Sequence, residues 1–220
     1  MNVVTFETPS GSASGELFAP DAGHGRSVIL VHEYWGLNEH IRDLGRRLAA
    51  EGFTVLAVDL FHGEVATVPA EGAKLAGELD TRAAVGEIAA AADYLRGHGA
   101  KSVGVGGFCL GGALAIAAAC HVPGLSAAVA FYGVPRAAKV DYAKVAAPIQ
   151  AHFGARDPHA TVAKAEAVRD AVLAAGGSFE LCVYDADHAF VNDTRPAVYS
   201  KENAALAWGR MVAFFRLHAG

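Results

Sequence analysis

Apolar runs of strand length alternate along this chain with longer segments in which apolar residues recur at helical spacing. Residues 27–31 are almost continuously apolar, which is typical of a strand covered on both faces. The following segment, Glu39–Ala50, places Ile41, Leu44 and Leu48 on one side of a predicted helix. Repetition of this alternation indicates βαβ units, in which parallel strands are joined by helices.

The same pattern extends to the end of the chain. It predicts further strands at 3–6, 14–18, 53–58, 102–105, 127–131, 149–153 and 179–184. It predicts further helices at 82–96, 110–120, 160–175 and 196–217. Residues 61–80 have weak periodicity and predict a loop or short helix over the site. We therefore expect an α/β fold with a mostly parallel central sheet, helices on both faces and an N-terminal hairpin at one edge.

Composition narrows the class of protein. The 220 residues contain no linker, repeat or low-complexity tract, so we expect a single domain over 1–220. With 18 basic and 23 acidic residues the net charge is −5, which provides no basic surface for nucleic acid or anionic membranes. The uncharged stretch 102–135 is interrupted by glycines and Pro123, so it does not predict a membrane span.

The cysteines and the N-terminus point to the cell interior. Three cysteines without regular spacing predict neither a disulfide framework nor a zinc site. The first seven residues lack the charged-then-apolar layout of a signal peptide. We therefore expect a cytoplasmic protein without metal or cofactor, existing as a monomer or weak homo-oligomer.

A motif between a predicted strand and a predicted helix carries the clearest chemistry. Residues 107–111, Gly-Phe-Cys-Leu-Gly, have the form of a nucleophile elbow, with cysteine in the position usually taken by serine. The residues two before and two after the nucleophile must be small so that the turn can close. We predict Cys109 as the nucleophile. Cys120 and Cys182 have no such context and are interpreted as core residues.

An activated nucleophile needs a base and an acid that orients the base. In chains with this elbow the order is nucleophile, acid, histidine. Asp157 follows the strand 149–153, and His188 lies in the loop after the last predicted strand. The competing acids are Asp141, Asp185 and Asp187.

Two backbone N–H groups are candidates for stabilising an oxyanion. Leu110 directly follows the nucleophile at a helix N-terminus, where the positive end of the helix dipole also favours a thiolate. Tyr34 lies in the loop after strand 27–31, which supplies the second donor in this type of site.

Together these residues resemble the dienelactone hydrolase (carboxymethylenebutenolidase) family, over nearly the whole chain. The resemblance depends on residues 31–38 (VHEYWGLN), 107–112 (GFCLGG), 131–133 (FYG), 154–157 (GARD) and 188–190 (HAF). It implies an α/β-hydrolase fold in which Cys109, Asp157 and His188 form the catalytic set. It also implies that Glu33, a fourth member, contacts the resting thiol and takes part in its activation. The implied pocket walls are Trp35, Phe131, Tyr132 and Phe190.

One part of the family pattern is missing. The family holds the carboxylate of its substrate with arginines, one before the 82–96 helix and one four residues after the catalytic histidine. Here Asn192 occupies the second position, and the first arginine downstream is Arg195. Lys74 is the only basic residue in 61–80.

Three hypotheses of function follow. The first is a cysteine hydrolase that opens lactones such as dienelactone, giving maleylacetate. The second is an esterase or lactonase with the same machinery and a different, uncharged substrate, since the arginines are missing. The third is a thiol redox or ligand-binding protein on the same fold, for which the sequence shows no resolving cysteine. In the first two the partner is a small-molecule lactone or ester.

Overall fold

Eight strands form one sheet at the centre of the computed structural model, which describes residues 2–9, 11–20, 25–136 and 140–218. The strands are β1 (Val3–Thr8), β2 (Gly11–Phe18), β3 (Arg26–Val31), β4 (Thr54–Val58), β5 (Ser102–Phe108), β6 (Ala128–Phe131), β7 (Ile149–Gly154) and β8 (Phe179–Tyr184). Their order across the sheet is β1-β2-β4-β3-β5-β6-β7-β8. The β1–β2 and β2–β4 pairs are antiparallel, and all other pairs are parallel. The predicted edge hairpin and parallel sheet are both present.

The described ranges contain six α-helices, five of which pack on the faces of the sheet. They are α1 (Glu39–Ala50), α2 (Pro69–Glu78), α3 (Thr81–Gly97), α4 (Leu110–His121), α5 (Val162–Ala174) and α6 (Lys201–His218), with a 3₁₀ turn at Tyr142–Lys144. Local sequence sets several of their starts: the side chain of Asn38 accepts the Ile41 N–H at α1, and that of Asp80 accepts the Ala83 N–H at α3. No helix in the described ranges is long and apolar enough to cross a membrane.

The hydrophobic core lies in two layers, one on each side of the sheet. Helices α3, α4 and α5 pack on one face through residues such as Ile88, Leu114 and Val168. Helices α1 and α6 pack on the other through residues such as Leu44 and Met211. Central strands are therefore buried on both faces, which explains why their sequences are continuously apolar rather than alternating.

The segment 61–80 agrees with the prediction of a loop or short helix, whereas the start of the last helix differs from the prediction. Residues 61–80 contain α2, which begins with Pro69 at its first turn and is capped when Glu71 accepts the N–H groups of Thr67 and Val68. The last helix begins at Lys201 instead of residue 196. The chain before it forms turns, and the Ser200 N–H donates to the carbonyl of Phe190.

The turn between β5 and α4 is closed by backbone packing. Cys109 has φ 53° there, a left-handed conformation that costs energy for a residue with a side chain. A Cβ on Gly107 would collide with the Gly111 carbonyl, and a Cβ on Gly111 would collide with the carbonyls of Val31 and His32. Both small residues are therefore required. The sheet order and this strained turn together define the α/β-hydrolase fold, as predicted.

We predict that Gly111→Ala destabilises the protein, because the added methyl group meets fixed backbone of β3. The expected loss in free energy of unfolding is about 1–3 kcal/mol or more, measured by urea denaturation. Gly209→Ala in α6 is the control, since a Cβ there meets open space and should stabilise the helix by about 0.5–1 kcal/mol. Equal stability of the two variants would contradict this account of the turn.

Candidate active site

Three side chains from separate loops meet at the carboxyl end of the sheet. Cys109 stands between β5 and α4, Asp157 lies in the turn after β7, and His188 lies in the loop after β8. The His188 Nε2 atom is 3.3 Å from the Cys109 Sγ atom, and its Nδ1 atom is 2.6 Å from the Asp157 Oδ2 atom. The structure thus brings together the three residues that the sequence predicted as nucleophile, base and acid.

Asp157 is fixed by its own loop. It is only 4% exposed, and its Oδ1 atom accepts the N–H groups of His159 at 2.8 Å and Ala160 at 2.9 Å. Burial raises the pKa of Asp157, but the hydrogen bonds from His188 and from these N–H groups outweigh it, so that the pKa lies below its usual value. Asp157 therefore stabilises the fold above its ordinary pKa, and this stabilisation is lost as the pH falls through the lowered value.

The other candidate acids are used elsewhere. Asp185 and Asp187 both form ion pairs with Arg156 on the surface. Asp141 accepts the Ala143 N–H at the start of the 3₁₀ turn. Among the acids weighed from the sequence, Asp157 alone is hydrogen-bonded to His188 in the described part of the chain.

The environment of His188 favours its protonated form. Burial lowers the pKa of His188, yet the hydrogen bonds with Asp157 and Cys109, and the charges of both groups, raise it to about 10. The stabilisation that this interaction gives is fully present below the ordinary value of 6.5 and is lost as the pH rises through about 10. The arrangement therefore favours the imidazolium form of His188.

Glu33 is buried, and both of its carboxylate oxygens accept hydrogen bonds. It is 2% exposed, and it accepts the Tyr132 hydroxyl at 3.2 Å and the Asn192 side-chain amide at 2.8 Å. The resemblance implied that Glu33 contacts the resting thiol. In the described structure the thiol is hydrogen-bonded to His188 instead, and no hydrogen bond joins it to Glu33. The two neutral donors hold the carboxylate in its place.

Asn192 is a site residue that sequence reasoning did not assign. Its side-chain oxygen accepts the Thr194 N–H at 3.1 Å and the Thr194 hydroxyl at 2.6 Å, which directs its amide nitrogen toward Glu33. The available signal was its position, four residues after His188, where the resembled family has an arginine. The substitution replaces a cation with a neutral amide beside the buried carboxylate.

His32 fixes the loop that carries Glu33 by hydrogen bonds with two backbone groups. Its Nδ1 atom is 2.6 Å from the Glu33 carbonyl oxygen, and its Nε2 atom accepts the Leu60 N–H at 3.2 Å. Burial lowers the pKa of His32, so the ring is neutral and can donate from one nitrogen while accepting at the other. His32 therefore fixes the loop without entering the site.

The two predicted oxyanion donors are both free of internal partners. Leu110 begins α4, so its N–H has no carbonyl to bind within the helix. Tyr34 lies in the loop after β3. Within the described ranges neither N–H donates a hydrogen bond. Both remain available to a substrate oxygen.

A cavity of about 710 Å³ opens over the thiol. Its lining includes Cys109, Leu110, Tyr132 and His188, and residues 76–81 close one side of it. Of the segment 61–80, which the sequence predicted to lie over the site, residues 76–80 line the cavity. This volume suits a small organic molecule. Across the described residues, no three or more histidine, cysteine, aspartate or glutamate side chains are grouped to hold a metal ion.

Only one of the four predicted aromatic walls lines this cavity. Tyr132 does, with its ring 5.1 Å from that of His188. Phe131 instead points into the core, where it is fully buried and stacks on Phe108 at 4.7 Å. Phe190 is fully buried behind Tyr132, and Trp35 is half-buried outside the lining. Phe131 is the last residue of β6 and packs in the core, whereas Tyr132 follows the strand with φ 38° and reaches the cavity.

We predict that Asp157→Asn and Cys109→Ala each lower the pKa of His188 from about 10, because each removes a hydrogen bond and charge that favour the imidazolium. NMR titration of the His188 ring, assigned by comparison with His188→Gln, measures the value. Asp187→Asn is the control, since that carboxylate is next to His188 in sequence but pairs with Arg156. A similar drop in all three variants would show that the local loop, and not these two contacts, sets the value.

We also predict that Asn192→Ala lowers the free energy of unfolding by about 1–3 kcal/mol, because a buried carboxylate loses a hydrogen-bond donor. Urea denaturation at pH 7 measures the change. Asn203→Ala should cost less, since the partners of the Asn203 amide, the Asp185 carbonyl and the Ser200 hydroxyl, are accessible to water. Equal losses in the two variants would mean that the Glu33 contact contributes nothing beyond an ordinary surface hydrogen bond.

Known proteins share this sequence and structure. A model of the dienelactone hydrolase family matches residues 14–219. Protein usf of Aquifex pyrophilus is 33% identical over 227 residues, covering 97% of both chains. A "Putative carboxymethylenebutenolidase" of Escherichia coli (strain K12) is 34% identical over 214 residues, covering 88% of this chain and 77% of that protein. The crystal structure of a "Putative Dienelactone Hydrolase" from Klebsiella pneumoniae subsp. pneumoniae MGH 78578 is 32% identical, with a TM-score of 0.86 over 97% of this chain and 98% of that one. The resemblance read from the motifs is confirmed, and the chain belongs to the dienelactone hydrolase family.

Proposed function

We propose that the protein is a cysteine-dependent hydrolase that opens lactones or small esters through Cys109, His188 and Asp157. The observation that carries this proposal is the continuous hydrogen-bonded chain from Asp157 through His188 to the Cys109 thiol, at the strained turn below a cavity. Membership of a hydrolase family supports the reaction class. Within that class, the five-membered dienelactone of the family name is the first substrate to test.

The first half of the reaction forms a thioester. The thiol proton passes to the Nε2 atom of His188, and the thiolate attacks the substrate carbonyl carbon. The oxyanion that forms accepts the N–H groups of Leu110 and Tyr34, whose donors have no competing partner in the described ranges. The intermediate then collapses, the C–O bond breaks, and the imidazolium returns the proton to the leaving oxygen.

The second half releases the enzyme. Neutral His188 takes a proton from water, and the hydroxide attacks the thioester carbonyl carbon. The C–S bond breaks, the carboxylic acid leaves, and the imidazolium–thiolate pair is restored. With dienelactone the first leaving group is an enol within the same molecule, which becomes a ketone and gives maleylacetate.

In this proposal Glu33 is a positioning residue that acts on His188 through Tyr132. Its carboxylate binds the Tyr132 hydroxyl, and the Tyr132 ring lies edge-on to His188. Burial and the neighbouring Glu33 raise the pKa of Tyr132 well above its usual value, so the hydroxyl keeps its proton and remains a donor. Through this contact Glu33 holds the Tyr132 ring against the imidazole while the thiol is activated.

The alternative of a thiol redox protein finds less support. A redox cycle needs a second cysteine to resolve the oxidised one. Cys120 is buried within α4 and Cys182 within β8, and burial raises the pKa of Cys120 to about 11. Such thiols are protonated and unreactive at neutral pH. The three cysteines are free.

We predict that Cys109→Ala lowers kcat/KM for 4-nitrophenyl acetate and for dienelactone by about a thousandfold or more, because no nucleophile remains. Stopped-flow and steady-state absorbance assays measure the rates. Circular dichroism should show an unchanged fold. Cys120→Ala is the control, a loss of thiol outside the site, and should retain activity. Turnover by folded Cys109→Ala at the rate of the unchanged protein would overturn the proposed function.

A further inference from the structure

The imidazole of His188 contacts two aromatic rings that belong to separate segments of the chain. The ring of Tyr132, which follows β6, lies 5.1 Å from it at an interplanar angle of 61°. The ring of His159, between Asp157 and α5, lies 5.6 Å from it at an angle of 87°. In the described part of the chain no ring contact joins Tyr132 to His159. The two rings therefore meet the imidazole at separate places.

The hydrogen bonds of His188 do not fix its ring completely. The Nδ1 atom is 2.6 Å from the Asp157 Oδ2 atom, and the Nε2 atom is 3.3 Å from the Cys109 Sγ atom. These two contacts define a line through the ring, and the ring can tilt about that line while both contacts are kept. The side chain of His188 is 19% exposed, so the surrounding core does not enclose it. Neighbouring rings that touch the imidazole restrict this tilt, since perpendicular ring pairs at such separations attract each other.

The reaction proposed above removes one of the two hydrogen bonds. Once the acyl group of the substrate is bonded to the Cys109 sulfur, that sulfur carries neither a proton nor a negative charge for the Nε2 atom to bind. Asp157 then remains as the hydrogen-bond partner of the imidazole, while the Nε2 atom has to point toward a water molecule. The imidazole therefore depends most on its ring contacts while the thioester is hydrolysed.

The position of His159 is set by its backbone. Its N–H donates to the Asp157 Oδ1 atom at 2.8 Å, and its carbonyl accepts the Lys164 ammonium at 2.9 Å. Its side chain is exposed and lines the cavity over Cys109. Within the described ranges neither nitrogen of the His159 ring has a hydrogen-bond partner. The ring is thus held beside the catalytic histidine by backbone bonds and by contact with the imidazole.

The two histidines touch through their rings and not through their ring nitrogens. Both nitrogens of His188 are already hydrogen-bonded, to Asp157 and to Cys109. In the resting site neither nitrogen is therefore available to exchange a proton with His159. The contact between the rings is what His159 contributes to the site.

We propose that His159 is a positioning residue, whose ring holds the imidazole of His188 in its working orientation while the thioester on Cys109 is hydrolysed. This inference rests on the proposed function for its reaction, and it adds a residue that neither the motifs nor the resemblance assigned. Tyr132 restrains the imidazole at one place and His159 restrains it at another. The contribution of His159 comes from its ring and does not require it to carry a proton.

The test separates the ring of His159 from its proton chemistry. His159→Gln keeps a polar side chain without a ring, and His159→Phe keeps a ring that cannot carry a proton. The substrate is 4-nitrophenyl trimethylacetate, whose bulky acyl group slows the attack of water, so that acylated protein accumulates. Rapid quenching and mass spectrometry measure its formation and its decay. Decay should be about 3- to 10-fold slower in His159→Gln, with a smaller change in formation, and should return to within about twofold of the original rate in His159→Phe.

His98→Gln is the matched control. His98 is an exposed histidine at the end of α3, and its ring stacks on that of Tyr94 at 4.1 Å, outside the cavity. Its replacement should leave both rates unchanged. Because His159 is also exposed, its two variants should fold normally, which circular dichroism checks.

The outcomes distinguish this inference from the proposed function. Equally slow decay in His159→Gln and His159→Phe would show that proton transfer matters and would overturn positioning by the ring. Decay of His159→Gln at the original rate would overturn it as well, and so would equal slowing of formation and decay. Absence of both acylated protein and turnover in the unchanged protein would overturn the proposed function.

A measurement without substrate tests the positioning by itself. In Cys109→Ala protein the Nε2 atom of His188 has lost its partner, as in the acylated enzyme. NMR relaxation should show a more mobile His188 ring when His159→Gln is added to this variant, and no such increase when His159→Phe is added. Equal mobility of the ring with and without His159→Gln would overturn the inference, whatever reaction the protein catalyses.

Discussion

The close approach of α4 to β3 is the constraint on which the site depends. Because Gly111 lies against the carbonyl of Val31, the helix can begin immediately after the strand, and Cys109 is held at a positive φ between them. The Cys109 N–H donates to the Phe131 carbonyl of β6, which fixes the turn from the other side. The thiol is thus presented at the end of the sheet by backbone alone. Its position does not depend on any flexible side chain.

Electrostatic interactions in the site follow from that rigid placement. Burial alone would make His188 neutral, which would favour a neutral thiol beside it. The short hydrogen bond to Asp157 reverses this, and the pKa of Asp157 stays low because the bond from His188 and the two N–H groups of its own loop together outweigh its burial. The loop after β7 therefore does two things: it orients the imidazole, and it supplies the charge that the imidazolium needs. Glu33 adds a second buried charge behind Tyr132.

Sequence alone predicted the features that are determined locally. The spacing of apolar residues predicted the strands and helices, because the residues that form the buried face of each element are close together in the sequence. Glycine spacing gave the turn around Cys109. Contacts between distant segments were not predictable in this way: Asn192 meets Glu33 across 159 positions of sequence, and the start of α6 depends on a bond from Ser200 to Phe190. The inward direction of Phe131 likewise depends on packing against a neighbouring strand.

The pairing of Glu33 with Asn192 also limits how the site can recognise charge. Both donors that hold the Glu33 carboxylate, the Tyr132 hydroxyl and the Asn192 amide, are neutral. An arginine in place of Asn192 would offset that charge and could bind substrate there. The contact between Asn192 and Glu33 therefore joins two distant loops beside the predicted nucleophile, base and acid without adding a positive charge.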